Sequence, residues 1–396
     1  MRNIRLTAFK IFAAASLFFN PWTHAAASDD QGALERVVNE AIRPLMEQYN
    51  IPGMAVAVTV QGKRYVYNYG VASKEGRQEV TDGTLFEIGS ISKTFAATLA
   101  SYAEVRGAFS LSDHASKYLP ALAGSSFDRI TLLQLGTYTA GGLPLQFPDS
   151  VAHQEEAISY FRSWRPSYEP GAYRIYSNPS IGLFGYLAAE SMGEPFDDLM
   201  EKKLFPELGL TQTYIRVPED RMRDYAYGHA KEGNPIRMNP GVLDSEAYGV
   251  KTTAADLLRF VEANIDASKL DETLQRAIAA THVGHYKVGD MTQGLGWEMY
   301  AYPTDLEQLL AGNSAELSFK PNKVAKLAPR LPPRDDVLIN KTGSTNGFGA
   351  YAAFVPAKGI GVVVLANRNY PIPARVKVGY RILATLDGEF GTASTR

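Results

Sequence analysis

Apolar residues recur at helical spacing across residues 32–48 (Leu34, Val37, Val38, Ala41, Ile42, Leu45), and the pattern stops at Ile51-Pro52-Gly53. Residues 54–60 and 63–70 then form two strand-like runs around Gln61-Gly62, a hairpin signal. Phe86-Glu87-Ile88 leads into Gly89-Ser90, and residues 96–105 read as helix. The middle of the chain differs, with helical patterns at 181–192, 196–204, 254–267 and 274–280 separated by Pro- and Gly-rich loops. Strand signals return at 295–300, 337–342, 349–355 and 360–366, before a last helical stretch over 373–386. Residues 313–336, containing prolines and lysines, show no regular pattern and predict an irregular connection. There is no fixed-period repeat. Strands at both ends with helices between predict an α/β fold, one sheet built from the two ends of the chain with a helical lobe inserted.

Composition changes this picture at the N-terminus. Arg2, Arg5 and Lys10 precede a short apolar run, 11–19, and Ala25-Ala26-Ala27 offers an A-x-A cleavage site before Ser28. Residues 1–27 therefore predict a secretory signal peptide, the apolar run being too short for a spanning helix. Its removal takes the formal charge from −2 to −5, and with no basic blocks this argues against a nucleic-acid partner. Cysteine is absent although the destination is oxidising, which excludes disulfides, thiol nucleophiles and thiolate zinc sites together. A hydrophobic share of 45% supplies enough apolar residues for a large packed core. The expected mature protein is a periplasmic monomer with no membrane attachment.

Three short patterns carry candidate chemistry: Ser90-Ile91-Ser92-Lys93, Tyr176-Ser177-Asn178 and Lys341-Thr342-Gly343. Each alone is weak, since most Ser-x-x-Lys pairs are solvated helix surface and most of the 22 tyrosines are ordinary packing residues. Their contexts are informative. Ser90 follows Gly89 where a strand gives way to a helix, so its hydroxyl lies at a helix N-terminus that favours developing negative charge. Lys93 lies one turn on, and burial would disfavour its charged form, making it a base or proton relay toward Ser90. Tyr176, an unlikely base with its ordinary pKa of about 10, would be pushed toward the phenolate by Lys93 and Lys341. The strand-like run ending in Lys341-Thr342-Gly343 could pair with an amide-bearing substrate, Gly343 permitting close backbone approach. The N–H groups of Ser90 and Ser344 are the candidate oxyanion hole, and Lys341 a point charge for a substrate carboxylate.

At these residues the sequence resembles the class C β-lactamases, the AmpC-type cephalosporinases, and the intervals between the three motifs agree with that family. The likeness extends to Phe86–Phe95 (FEIGSISKTF), Tyr176–Gly185 (YSNPSIGLFG), Glu246–Thr252 (EAYGVKT), Gln293–Glu298 (QGLGWE) and Leu365–Arg375 (LANRNYPIPAR). The resemblance implies a β-lactamase/transpeptidase-like fold: an antiparallel sheet domain from 28–105 and 312–396, a mainly helical domain over 106–311, and the active site between them. It implies Ser90 as nucleophile, Lys93 and Tyr176 as proton-transfer groups, and hydrolysis of cephalosporins and penicillins without cofactor or metal, conferring β-lactam resistance. Asn178 and Gln146 match ligands of the substrate's side-chain amide, and Tyr248 matches an aromatic wall. Thr342 and Gly343 belong to the substrate-pairing strand, while Asn369 and Arg375 match positions near the substrate carboxylate. Two residues depart from the pattern. Ile372 stands where many members carry asparagine, and Asn340 where others have histidine, which puts the substrate profile in doubt.

Other readings fit less well. A class A enzyme would need Ser-Asp-Asn and a deacylating glutamate, where this chain has Tyr-Ser-Asn. Of six histidines, His24 leaves with the signal, and His282 and His285, the only close pair, lack a metallo-enzyme pattern and predict a loop or surface role. A D-alanyl-D-alanine carboxypeptidase or a serine esterase shares the motifs, as does a penicillin-recognising sensor, which would want a membrane tether.

Overall fold

The computed structural model describes residues 22–230 and 232–390; most of the expected signal segment lies outside the described residues. The chain's most apolar runs form the centre of a ten-stranded sheet in which every pairing is antiparallel. In chain order its strands are β1 (Gly53–Val60), β2 (Lys63–Ser73), β3 (Gln78–Glu79), β4 (Gly284–Val288), β5 (Met291–Gln293), β6 (Glu298–Ala301), β7 (Ala325–Leu331), β8 (Val337–Ser344), β9 (Gly349–Val355) and β10 (Ile360–Ala366). Their spatial order is β7-β4-β5-β6-β8-β9-β10-β1-β2-β3. The two ends of the chain meet at β1 and β10, with Met54 opposite Ala366 and Val60 opposite Ile360.

Strand β1 is buried along its whole length because both of its faces are covered. Ala55 and Ala57 enter one core with Val363 and Leu365 of β10, while Met54, Val56 and Val58 enter another with Val362 and Val364. Helix α1 (Trp22–Tyr49) and the last helix, Ile372–Thr385, cover the second face; the helix Ala254–Ile265 covers the first. Period-two alternation thus feeds two cores rather than one core and solvent.

Helix α2 (Ser92–Val105) links these layers to a third core built from residues 109–188. Residues 92–103 are all buried. Phe95, Ala96 and Leu99 face the sheet-side core, and Ala97, Ala100 and Ala103 face the third, as expected of a helix packed on every side. Helix α3 (Asn178–Met192) and helix α4 (Glu272–Thr281) pack along it.

Three sequence expectations need correction. The sheet's later contribution begins at Gly284, so the boundary expected at 312 falls after three of its strands. The strand signal at 295–300 falls on β6, whereas β4 and β5 went unread, β5 being only three residues long and too short for a periodic signal. Residues 325–331, expected to be irregular, form the edge strand β7; Lys326, Pro329 and Arg330 belong on an exposed edge, where they discourage further pairing and hide the strand pattern. His282 and His285 are buried, not on the surface.

Those imidazoles make folding pH-dependent. His282 contacts Asn264 Oδ1 at 3.0 Å, whereas neither ring nitrogen of His285 has a hydrogen-bond partner. Burial lowers both from 6.5 to about 4, with Arg330 adding to the effect at His285. Below pH 6.5 the unfolded chain takes up protons that the buried rings refuse, so stability present above that pH is lost toward pH 4, by up to about 3 kcal/mol per ring. Urea unfolding of the protein and of His285→Leu at pH 7 and pH 5 checks this: the variant should lose less stability between the two.

Candidate active site

The turn that carries Ser90 is set by contact between two backbones. Phe86–Glu87 pairs with Lys251–Thr252, and the chain then turns through Gly89–Ile91 into α2. Gly89 has φ +50°, and a Cβ there would lie 2.5 Å from the Ser344 carbonyl oxygen. A Cβ on Gly343 would overlap the Ile88 carbonyl oxygen. Only glycines allow the turn and the end of β8 to approach this closely, and the approach puts Ser90 beside Ser344. The buried Arg375 braces the same strand end, donating to the Gly343 carbonyl at 2.5 Å and to Ser344 Oγ at 2.9 Å.

Around half-buried Ser90 the structure gathers protonatable groups. Lys93 Nζ donates to Ser90 Oγ at 2.8 Å and to the Ala247 carbonyl at 2.7 Å. Lys93 is fully buried, and burial lowers its ammonium to about 8; the Tyr176 phenol opposes that shift and the Lys341 charge adds to it. Tyr176 is also enclosed. Burial resists its ionisation, but Lys341, Lys93 and the nearby Ser90 hydroxyl together outweigh it and move the phenol below its usual range. The ammonium groups of Lys93 and Lys341 lie 5.2 and 5.1 Å from the Tyr176 ring centre, and the Arg174 guanidinium 5.4 Å. The Tyr176 hydroxyl itself makes no hydrogen bond of directed geometry, so Ser90 acts on it by proximity.

Behind these groups lies a buried network that the motifs do not reveal. Arg174 pairs with Glu298 at 2.9 Å and donates to Gln293 Oε1 at 2.7 Å and to the Leu317 carbonyl at 3.0 Å. Glu298 also stands 3.7 Å from Lys341. Arg174 precedes Tyr176 by two positions in extended chain, so its shared face was the one available signal. Asn340 is fully buried, donating to the Glu298 carbonyl at 3.0 Å and accepting from Asn313 at 3.1 Å. This departure from the family pattern therefore faces the network rather than the cleft.

The cleft, about 210 Å³, is lined by Ser90, Gln146, Tyr176, Asn178, Lys341, Thr342, Gly343 and Ser344, with Lys93 directly behind Ser90. Asn178 opens helix α3, capped by Ser177, and its Oδ1 is buried without a partner. Leu145, Leu317, Phe319 and Ile372 add apolar walls, and of these only Ile372 was singled out from sequence. Phe319, 65% exposed, lies on a stretch whose pattern gave no warning. Tyr248, Asn369 and Arg375 are not among the lining residues: Asn369 accepts from Arg375 at 3.0 Å, and Arg375 also holds the Gly343 carbonyl and Ser344 Oγ. Among the described residues no group of three or more His, Cys, Asp or Glu side chains could hold a metal ion, and no helix is long and apolar enough to cross a membrane.

A half-buried serine bonded to a buried lysine, beside a phenol held between cations at the edge of an antiparallel strand, defines a serine acyl-transfer hydrolase. A family model described as Beta-lactamase matches residues 38–387, and the chain belongs to that family. It is 55% identical to a β-lactamase of Pseudomonas fluorescens over 89% of this chain and 99% of that one. A crystal structure of a class C β-lactamase in complex with cefoxitin superposes with a TM-score of 0.88 at 49% identity, covering 90% of this chain and all of the other. A structure named as D-alanine carboxypeptidase AmpC from Burkholderia cenocepacia, 52% identical, gives 0.86 over 91% of this chain and all of that one. The activity is that of a class C β-lactamase, in the expected fold.

The electrostatics predict a pH effect. Lys341 is the largest of the influences favouring the Tyr176 phenolate, so Lys341→Ala should move the acidic limb of kcat/KM to higher pH. An acidic limb that stays in place would separate Lys341 from Tyr176 ionisation.

Proposed function

We propose that Ser90 carries the reaction as the nucleophile of an acyl-enzyme, with the Tyr176/Lys93 pair as its base. The supporting observation is the 2.8 Å contact between Ser90 Oγ and a Lys93 whose ammonium is weakened by burial, next to a phenol drawn toward its anion. Ser90 Oγ attacks the lactam carbonyl carbon while its proton passes to the Tyr176/Lys93 pair, and the N–H groups of Ser90 and Ser344 receive the oxyanion. The C–N bond breaks, the ring nitrogen takes the proton, and the ester remains on Ser90. Tyr176 then takes a proton from water, which hydrolyses the ester and regenerates the enzyme. Because the groups are coupled, the proton belongs to the pair.

The substrates are cephalosporins and penicillins. Their side-chain amide meets Gln146 and Asn178, whose orphaned Oδ1 is an acceptor awaiting an N–H, and their carboxylate meets Lys341 and Thr342. Tyr248, Asn369 and Arg375 then act from outside the cleft, positioning its walls. Residues 1–27 direct export to the periplasm, where the mature chain works as a monomer without nucleic-acid partners. A second reading, D-alanine carboxypeptidase activity at the same serine, is favoured by the neighbour named for it.

Steady-state hydrolysis of a cephalosporin, beside a D-Ala-D-Ala peptide, tests both readings. We expect fast lactam turnover that chelator leaves unchanged; stoichiometric acylation without turnover would overturn the lactamase mechanism, and faster peptide cleavage would favour the second reading. Ser90→Ala should abolish covalent labelling by a β-lactam. Tyr176→Phe should lower kcat by at least about a hundredfold, the size typical of losing a general base.

A further inference from the structure

Beside Tyr176 lies a second phenol that the reaction scheme leaves unused. The Tyr138 ring stands 4.8 Å from the Tyr176 ring, centre to centre, tilted by 45°. Arg174 spans the pair, its guanidinium 5.2 Å from the Tyr138 ring centre and 5.4 Å from that of Tyr176. Backbone holds the arrangement. Tyr138 follows the short helix Leu132–Gly136, and its carbonyl accepts from the Ile175 N–H at 3.0 Å, one residue before Tyr176.

Two features of Tyr138 cost free energy. Its φ is +63°, a left-handed conformation that strains a bulky residue, and strain of this kind collects at active sites. Its hydroxyl is buried with no hydrogen-bond partner, in a residue only 2% exposed. Phenylalanine would fill the same apolar core without orphaning a hydroxyl there. The hydroxyl therefore calls for a partner that the resting enzyme does not offer. Its neighbour has the matching deficit, since the Tyr176 hydroxyl is also buried and unpartnered. The nearby ammonium groups are engaged elsewhere: Lys93 donates to Ser90 Oγ and to the Ala247 carbonyl, and Lys341 stands 3.7 Å from Glu298.

We propose that Tyr138 is a positioning residue for the reaction, its hydroxyl donating a hydrogen bond to the Tyr176 oxygen when Tyr176 becomes the phenolate. The kinetic consequence rests on the reading of Tyr176 as base. The lysines supply charge, which acts without direction; a phenol supplies a directed donor and brings no further charge to be buried. Tyr138 is suited to remain the protonated partner. Burial and the Tyr176 phenol raise it well above the ordinary 10.0, Arg174 opposes them, and Glu298 and the approach of the Tyr176 hydroxyl add to the rise. Lys341 and Lys93 meanwhile single out Tyr176 as the phenol that ionises. A bond from Tyr138 then fixes the direction of the phenolate.

Tyr138→Phe removes the hydroxyl and keeps the ring. Carbon-13 NMR at the Tyr176 ring carbon bearing the hydroxyl should show its midpoint rising by about one pH unit, the loss of one hydrogen bond to a charged oxygen. The acidic limb of kcat/KM should move up with it, lowering activity about tenfold on the limb and leaving the plateau unchanged. Tyr67→Phe, which deletes another buried and unpartnered hydroxyl on β2, should move neither. Thermal unfolding should place Tyr138→Phe at or above the parent protein, because an unsatisfied group has been removed. A midpoint that stays in place, or that Tyr67→Phe moves equally, would overturn the proposal. A loss of stability in Tyr138→Phe would also overturn it, by showing that the hydroxyl already has a partner. A midpoint that rises while the acidic limb stays put supports the donor and removes Tyr176 as the base.

Discussion

One electrostatic constraint organises this protein: two lysines and a tyrosine are crowded together at the wall of the cleft, where burial limits their screening by water. Burial weakens the Lys93 ammonium, which readies its amine as a base, but it resists ionisation of Tyr176 and by itself would leave that phenol protonated. Placed about 5 Å from the same ring, the two ammonium groups reverse the outcome for Tyr176, while Tyr176 moderates the loss at Lys93. Glu298 and Arg174 make the enclosure tolerable. Glu298 offers Lys341 an opposite charge, and Arg174, held by Glu298, Gln293 and a backbone carbonyl, adds a third cation near the phenol without being free to move. Replacing Glu298 would leave Arg174 and Lys341 buried without their opposite charge.

The fold serves that constraint through rigidity. Helix α2 places Lys93 one turn after Ser90, which sits in the Gly89–Ile91 turn leading into it, and the helix is packed on all sides, so it cannot rotate to relieve the charge it carries. The contact of Gly89 with Ser344 and of Gly343 with Ile88 locks the start of that helix against β8, which bears Lys341. Arg375 finishes the lock from the last helix of the chain. Sheet, helix and terminal helix thus fix one distance set from three separate parts of the sequence.

Much of this was legible in the sequence, for reasons that can be named. Strands β1, β9 and β10 are almost wholly apolar runs because both faces are buried, β8 opens on the apolar run 337–339, and the hairpin of β1 and β2 announces itself at Gln61-Gly62. Ser90, Lys93, Tyr176 and Lys341 stand in short motifs with matching contexts. What stayed hidden was polar or short. Helix α2 begins at Ser92, four residues before its apolar pattern, because its first turn is buried by satisfied hydroxyls rather than by hydrocarbon: Thr94 donates to the Ile91 carbonyl at 2.7 Å, and Ser92 accepts from Val250 at 3.1 Å. Edge strand β7 has no buried face to create alternation. Glu298 and Arg174 are distant in sequence and meet only in the folded chain, and Arg375 carries a charge that a sequence reader sends toward substrate, though the fold spends it on backbone.

Acidification of Tyr176 by its two lysine neighbours is directly measurable in the resting enzyme. Labelling tyrosines with carbon-13 at the ring carbon bearing the hydroxyl, and assigning Tyr176 by its loss in Tyr176→Phe, lets its ionisation be followed by NMR across the alkaline range. The Tyr176 phenol should titrate with a midpoint below the ordinary 10.0, moving upward in Lys341→Ala. A midpoint at or above 10.0 that ignores the substitution would contradict it.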